Sequence, residues 1–200
     1  MTHKSMDKLL QKIRACTLCH DLPLGPNPII QFNPTAKILV AGQAPGRITH
    51  HKNRPFDDPS GNRLRQWMGI SRETFYDERK LAIIPMGFCY PGTSKSGDLP
   101  PRPLCAETWR QQLMDRLPHL ELTLVIGRYA ASWHIKPDNT QVNDKQTLTQ
   151  VIQNWQEYFP TLLPLPHPSP RNNRWLKNNP WFEQDVIPTL QHRVKTILGH

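Results

Sequence analysis

Four short apolar runs constrain the fold of this 200-residue chain more than any other feature. They occupy Lys37 to Ala41, Leu81 to Ile84, Leu122 to Ile126 and Leu162 to Leu165. Continuous apolar runs of this length, without polar alternation, are typical of strands that are buried on both faces. Helical patterns separate the runs. The sequence therefore predicts an α/β fold, a three-layer α/β/α sandwich with a central four-stranded parallel sheet.

Helical spacing of apolar residues indicates where the flanking layers come from. It marks the segments 5–15, 62–70, 105–117, 128–134 and 180–197. A chain of 200 residues suits a single domain with a core of its own, so we expect one domain over residues 1–200.

Three unusual loops follow predicted strands. GQAPG at 42–46 follows the first strand, residues 85–92 follow the second, and HPSPRN at 167–172 follows the fourth. The carboxyl ends of parallel strands meet at one edge of a sheet, and ligands bind there. We therefore expect these three loops to form the functional site together.

The charge balance points to a class of partner. The chain carries a formal net charge of +9, and such an excess attracts polyanions, of which nucleic acid is the commonest in the cytosol. A basic protein that binds no polyanion is the alternative. No apolar run approaches the length of a membrane span, and residues 1–16 lack the apolar core of a signal peptide. We expect a cytoplasmic monomer without membrane association.

The chain has four cysteines, Cys16, Cys19, Cys89 and Cys105. The C-x2-C spacing of the first pair brings two thiolates within reach of one metal ion. Cys89 lies at the end of the second strand and Cys105 at the start of a helix, so both can meet the first pair. Zinc and a [4Fe–4S] cluster fit four cysteine ligands equally well. Four unconnected buried thiols remain the alternative reading.

The motifs, taken together and in order, resemble those of the family 4 uracil-DNA glycosylases, the iron–sulfur type. The resemblance runs from Cys16 to about Asn172 and includes GQAPG with the later RPF, both cysteine pairs, VIGRYAA at 125–131 and HPSPRN. It implies that the cysteines hold a [4Fe–4S] cluster, with zinc as the second choice. It also implies a DNA glycosylase of base-excision repair, acting on DNA that contains a deaminated or damaged base.

Breaking the bond between a base and its sugar defines what the site must offer. The base must leave the stack, and the negative charge that it acquires needs a hydrogen-bond donor. His167 is the candidate for this donor, because it follows a strand end in a proline-stiffened loop, and a capping or packing histidine is the alternative. The resemblance implies that Phe56 stacks on the flipped base, where a core phenylalanine is the alternative. The turn at Gly42, Gln43 and Ala44 is expected to bring its backbone close to the substrate.

A second set of polar residues is expected to contact DNA. Ser169, Arg171 and Asn172 follow the second-motif histidine, and in relatives the position of Arg171 fills the gap left by the flipped base. A basic run inside the first-motif loop offers further phosphate contacts, and a solvated surface is the alternative. Its predicted DNA-binding members are Arg47, Lys52 and Arg54.

Two departures from the family pattern bear on chemistry and specificity. Gln43 stands where the family has a glutamate, so activation of water would fall to His50, Asp57 or Asp58, or to positioning by Gln43 itself. Pro85 stands where relatives have the asparagine that reads uracil, and proline offers neither an amide side chain nor a backbone donor.

Met86, Gly87 or Gln43 would then make substitute contacts with the base, or the substrate is another base. These departures leave open a binding module on the same fold that recognises DNA or a nucleotide without hydrolysis. A zinc protein with an unrelated α/β function is the third reading.

Overall fold

A four-stranded parallel sheet forms the centre of the computed structural model, which describes residues 3–95, 97–135 and 146–199. The strands in chain order are β1 (Ile38–Ala41), β2 (Leu81–Ile83), β3 (Thr93–Ser94), β4 (Gly97–Asp98), β5 (Leu122–Ile126) and β6 (Leu162–Leu165). The main sheet has the order β2-β1-β5-β6, and β3 and β4 form a separate antiparallel hairpin. The predicted parallel sheet is confirmed, with all four apolar runs as its strands.

The register of the sheet brings all four carboxyl ends to one edge. Val40 pairs with both Ile83 and Leu124, and Ile126 pairs with Leu165. Because the strands end level with one another, the loops that follow them leave the sheet side by side. This shared edge positions the site described below.

Helices cover both faces of the sheet. In chain order they are α1 (His3–Arg14), α2 (Arg47–Lys52), α3 (Pro59–Met68), α4 (Arg72–Tyr76), α5 (Pro103–Met114), α6 (Gly127–His134), α7 (Leu148–Gln153), α8 (Asn173–Asn178) and α9 (Ile187–Leu198). A π-helical turn, Phe182–Val186, leads into α9. All five predicted helices are present, with ends shifted by a few residues.

The start of α3 shows why its predicted first residue lies too far along the chain. Asp58 caps the helix by accepting the backbone N–H of Gly61 at 2.8 Å, and Pro59 follows at the first helical position, where proline is well tolerated. Gly69 ends the helix in the left-handed conformation. These caps place the helix at 59–68 instead of 62–70.

Alternate strand residues point to two separate hydrophobic layers. Ile38 and Val40 face a layer built by α3, α4, α8 and α9, whereas Leu39 and Ala41 face a layer built by α1, α5 and α6. Each strand is therefore buried on both faces, as its continuous apolar sequence requires. The result is the predicted three-layer sandwich.

Two further expectations concern membrane association and the number of domains, and the second stays a prediction. Among the described residues no helix is both long enough and apolar enough to cross a membrane. The single domain expected over 1–200 includes residues 1–2, 96, 136–145 and 200, which lie outside the described residues.

Candidate active-site cleft

A cleft of about 770 Å³ opens at the carboxyl edge of the sheet. Its walls come from all three loops that follow strands β1, β2 and β6. The predicted site residues that line it are Gly42, Gln43, Ala44, Arg47, Phe56, His167, Ser169 and Arg171. The structure thus brings together residues that lie more than a hundred positions apart in the sequence.

His167 lines this cleft and has one ring nitrogen that can donate a hydrogen bond. Its Nδ1 accepts the backbone N–H of Ser169 at 3.2 Å, so in the neutral ring the proton resides on Nε2. Burial lowers the pKa of His167, although the carboxylates of Asp58 and Asp98 oppose this effect. The imidazole is therefore neutral at physiological pH and can donate through Nε2.

The backbone around His167 is held from two directions. The Asn172 side chain donates to the carbonyl of His167 at 2.7 Å. The guanidinium of Arg63 donates to the carbonyls of Pro168 and Ser169 at 3.4 and 3.2 Å. Asn172, predicted to contact DNA, points inward here and fixes the histidine loop.

Phe56 lines the cleft in a strained conformation. Its φ of 54° is left-handed, which is unusual for an aromatic residue. An ideal Cβ on Gly61 would lie 1.7 Å from the Phe56 carbonyl oxygen, so only glycine fits there. The Phe56 ring lies 3.4 Å from the place where a Gly42 side chain would begin. Two glycines thus place the ring against the floor of the cleft.

The GQAPG turn is fixed to the neighbouring loop by its own carbonyls. Met86 N–H donates to Gly42 O at 2.8 Å, and Gly87 N–H donates to Gln43 O at 2.9 Å. The Gln43 side chain donates to the carbonyl of Leu99 at 3.0 Å. Pro85 lies on the cleft wall beside this turn.

The predicted water-activating residues occupy different positions. Asp58 lines the cleft, but His50 and Asp57 do not. The His50 ring packs against Tyr90, its Nδ1 is buried without a hydrogen-bond partner among the described residues, and burial lowers its pKa. Asp57 pairs with Arg72 at 2.9 Å, and this hydrogen bond lowers the pKa of Asp57.

Several predicted substrate or DNA contacts also lie outside the cleft. Met86 is buried in the core, and Gly87 faces the cysteines. Lys52 donates to the Asp57 carbonyl at 2.9 Å, and Arg54 stacks on Tyr76 at 4.0 Å. Of the predicted basic run, Arg47 alone lines the cleft.

The hairpin of β3 and β4 adds residues that sequence reasoning missed. Tyr90, Thr93 and Asp98 all line the cleft. Arg171 reaches across to this hairpin, where its Nη1 would lie 2.6 Å from a Cβ at Gly97. The consecutive residues Gly97 and Asp98 are a turn signal in the sequence, but strands of two residues give no periodicity to detect.

The four cysteines line one small cavity of about 20 Å³ on the other side of the 85–92 loop. All four are free thiols. Burial raises the pKa of Cys105 to about 12 and that of Cys89 to about 11. Burial also raises the pKa of Cys19, with a further rise from neighbouring Cys16.

The positions of the four cysteines fit only in part the prediction that they bind one metal ion or cluster. Among the described residues, no three histidine, cysteine or acidic side chains stand close enough to hold a metal ion as they are. The cavity shows convergence of the four thiols, and the side chains have not closed onto a common centre.

The chain is a parallel α/β/α sandwich, and in this class of fold ligands bind at the carboxyl edge of the sheet. Here that edge opens into a cleft lined by a neutral histidine and an aromatic ring. The family model of the uracil DNA glycosylase superfamily matches residues 29–191, and the chain belongs to this superfamily.

Two relatives can be described more closely. The chain is 23% identical over 172 residues to a type-4 uracil-DNA glycosylase of Saccharolobus solfataricus, covering 82% of this chain and 76% of that protein. It also matches a solution NMR structure of a candidate uracil DNA glycosylase from Methanosarcina acetivorans. There the identity is 16%, the coverage is 82% of this chain and 94% of the other, and the TM-score is 0.46.

Proposed function

We propose that the protein is a monofunctional DNA glycosylase of base-excision repair, which hydrolyses the bond between a deaminated or damaged base and its sugar. The observation that carries the proposal is the neutral His167, whose Nε2 proton is available in a cleft that Phe56 also lines. Superfamily membership supports the same reaction class. Uracil itself is one candidate base among several.

The arrangement supports a simple division of labour in the chemistry. A flipped base would stack on Phe56, and stacking of this kind contributes about 1–3 kcal/mol. As the bond to the sugar breaks, the electron pair moves to the base, and His167 Nε2 donates a hydrogen bond to the carbonyl that becomes negative. The neutral ring can donate this hydrogen bond without first gaining a proton.

The surface around the cleft supports a DNA partner. Arg47 and Arg171 are exposed at its rim, and the chain carries a net charge of +9. Phosphate contacts by such side chains set the register of a protein on DNA without reading its sequence. We propose that the rim of the cleft is the DNA face of a cytoplasmic monomer.

We propose further that Cys16, Cys19, Cys89 and Cys105 hold a [4Fe–4S] cluster, with zinc as the second choice. Four free thiols around one cavity fit either group. Binding would require the thiolate form, and it would offset the raised pKa values of Cys89 and Cys105. When bound, such a group would tie the segment after α1 to the start of α5. Visible absorption of the purified protein distinguishes iron–sulfur from zinc, which is colourless.

A second candidate function is a binding module that does not hydrolyse DNA. Two observations favour it: Pro85 gives the cleft wall no amide with which to read uracil, and the Gln43 side chain is committed to Leu99 O. Both functions predict DNA binding, so only excision separates them.

The test is excision from labelled oligonucleotides that carry uracil, hypoxanthine, xanthine or an oxidised pyrimidine, single-stranded and paired. We expect wild type to excise at least one base and His167→Ala to slow that excision by about a hundredfold or more. His192→Ala, an exposed histidine on α9, is the matched control and should retain wild-type activity. Retention of full activity in His167→Ala would refute the mechanism. DNA binding without excision would favour the binding module.

A further inference from the structure

One acidic side chain in the cleft has no place in the chemistry described so far. Asp98 belongs to the short strand β4, lines the cleft and is exposed. Its Oδ2 would lie 3.5 Å from a Cβ at Gly46, so the carboxylate faces the GQAPG turn. Asp98 and Asp58 are also the two carboxylates that act on His167 by charge, which places both near the imidazole.

A chain of hydroxyl groups orients this carboxylate. The Thr93 hydroxyl donates to Asp98 Oδ1 at 3.1 Å. The hydroxyls of Tyr90 and Thr93 are hydrogen-bonded to each other, and since Thr93 uses its proton on Asp98, Tyr90 is the donor of this pair. Tyr90 is buried, so the chain connects the carboxylate to the protein core.

Gln43 fixes the backbone next to Asp98. Its amide donates to Leu99 O at 3.0 Å, and Leu99 N–H donates to Gly92 O at 2.9 Å. A glutamate at position 43 could not donate to this carbonyl. Gln43 thus gives the GQAPG turn an amide where a glutamate would give a carboxylate. The same amide anchors the segment that brings the Asp98 carboxylate to this turn.

The other acidic residues near the cleft are already engaged. Asp57 pairs with Arg72 and lies outside the cleft. Asp58 caps α3 through Oδ1. Asp98 has no lysine or arginine within ion-pair distance in the part of the chain that the structure describes. Its charge is thus available to a cationic centre in the cleft.

We propose that Asp98 is a catalytic carboxylate that stabilises the cation-like sugar and accepts a proton from the attacking water. The inference rests on the proposed glycosylase function. The bond between C1′ and the base nitrogen breaks and its electron pair leaves with the base. The water oxygen bonds to C1′, its proton passes to Asp98 and then to solvent, and solvent protonates the released base.

The first experiment compares Asp98→Asn with Asp58→Asn. Asparagine keeps the shape of each side chain, can accept from Thr93 at position 98 and can cap a helix at position 58. For the base that wild type excises from the set above, we expect Asp98→Asn to lower the single-turnover rate about thirtyfold or more. Oligonucleotide affinity should change less than about threefold. Asp58→Asn, at the other cleft carboxylate, should lower the rate less than Asp98→Asn does, because Asp58 Oδ1 already caps α3. Equal rates in wild type and Asp98→Asn would overturn the proposal.

A second measurement needs no excision. Oligonucleotides carrying either a protonated pyrrolidine or a neutral tetrahydrofuran in place of the sugar compare a cation with its uncharged analogue. We expect wild type to prefer the pyrrolidine and Asp98→Asn to lose about tenfold of that preference, while Asp58→Asn loses less of it.

The two readouts separate the failure of each proposal. A wild type that excises no base but shows the Asp98-dependent preference would reject glycosylase activity and support the cation site. A wild type without this preference, or a preference that depends on Asp58 alone, would overturn the assignment of Asp98.

Discussion

The stability of this protein should fall in mild acid because of one pair, the buried Arg110 and the half-buried His134. Arg110 is fully buried and donates through Nη1 to the carbonyls of Ile84 at 2.8 Å and Pro85 at 3.0 Å. Its Nη2 contacts Nε2 of His134, which must accept the hydrogen bond because a guanidinium has no acceptor. Protonation of His134 would remove that acceptor and place two cations side by side.

The size of the effect follows from the pKa of His134. Burial, followed by the charge of Arg110, lowers this pKa from its ordinary value of 6.5 to about 3. Between these two pKa values the folded protein therefore binds fewer protons than the unfolded chain. The contribution of this pair to the free energy of unfolding is complete above pH 6.5 and is lost as the pH falls towards 3. At about pH 5 the free energy of unfolding is lower by about 2 kcal/mol, since each pH unit below 6.5 costs about 1.4 kcal/mol.

The assay is urea unfolding of wild type and His134→Gln at about pH 7.5 and about pH 5. Glutamine keeps a neutral acceptor near the position of Nε2 but has no proton to gain in this range. We expect the variant to lose about 2 kcal/mol less than wild type between the two conditions.

His167 is the other buried group that must be controlled. Burial also lowers its pKa, so it contributes an acid loss of the same sign. His167→Gln should reduce the acid loss independently of His134→Gln, because the residues lie in separate sites. An identical pH dependence in wild type and His134→Gln would refute the argument for the Arg110 pair.

Three further changes test other parts of the structure. Arg171→Ala should weaken binding of duplex DNA about tenfold with a smaller effect on the single-turnover rate, because this exposed side chain lies at the rim; gel-shift titration and excision measure the two effects. Gly61→Ala should cost about 3 kcal/mol in urea unfolding and lower excision, because its Cβ would meet the Phe56 carbonyl at 1.7 Å. Ser60→Ala, at the neighbouring buried position, is the control. Cys105→Ser should abolish visible absorption if the cysteines hold an iron–sulfur cluster, and an unchanged spectrum would exclude Cys105 as a ligand.

The sheet was predictable because burial on both faces leaves a direct mark on the sequence. Runs such as LTLVI at 122–126 contain almost no polar residue, and each became a central or edge strand. The convergence of the loops then followed from parallel topology alone. Helix ends were less predictable because caps such as Asp58 act through local hydrogen bonds that apolar spacing does not record.

The site was only partly predictable because sequence proximity does not fix direction. His50 lies four residues from Gly46, yet on α2 its ring packs against Tyr90 and does not line the cleft. Asn172 carries the residue type that contacts phosphate, yet it donates to His167 O. Asp98 lies on a hairpin with two-residue strands, which are too short to show a periodicity in the sequence.

The loop at 85–92 explains how cysteines that do not line the cleft can still affect it. Pro85 and Tyr90 line the cleft, whereas Gly87, Phe88 and Cys89 between them line the cysteine cavity. Arg110, five residues after Cys105 on α5, holds the carbonyl of Pro85 from behind. One short segment therefore forms the wall of both cavities, and whatever orders the cysteines also fixes the wall that a base would meet. In the proposed function, a cluster held by the four cysteines would therefore fix the cleft wall without taking part in the chemistry.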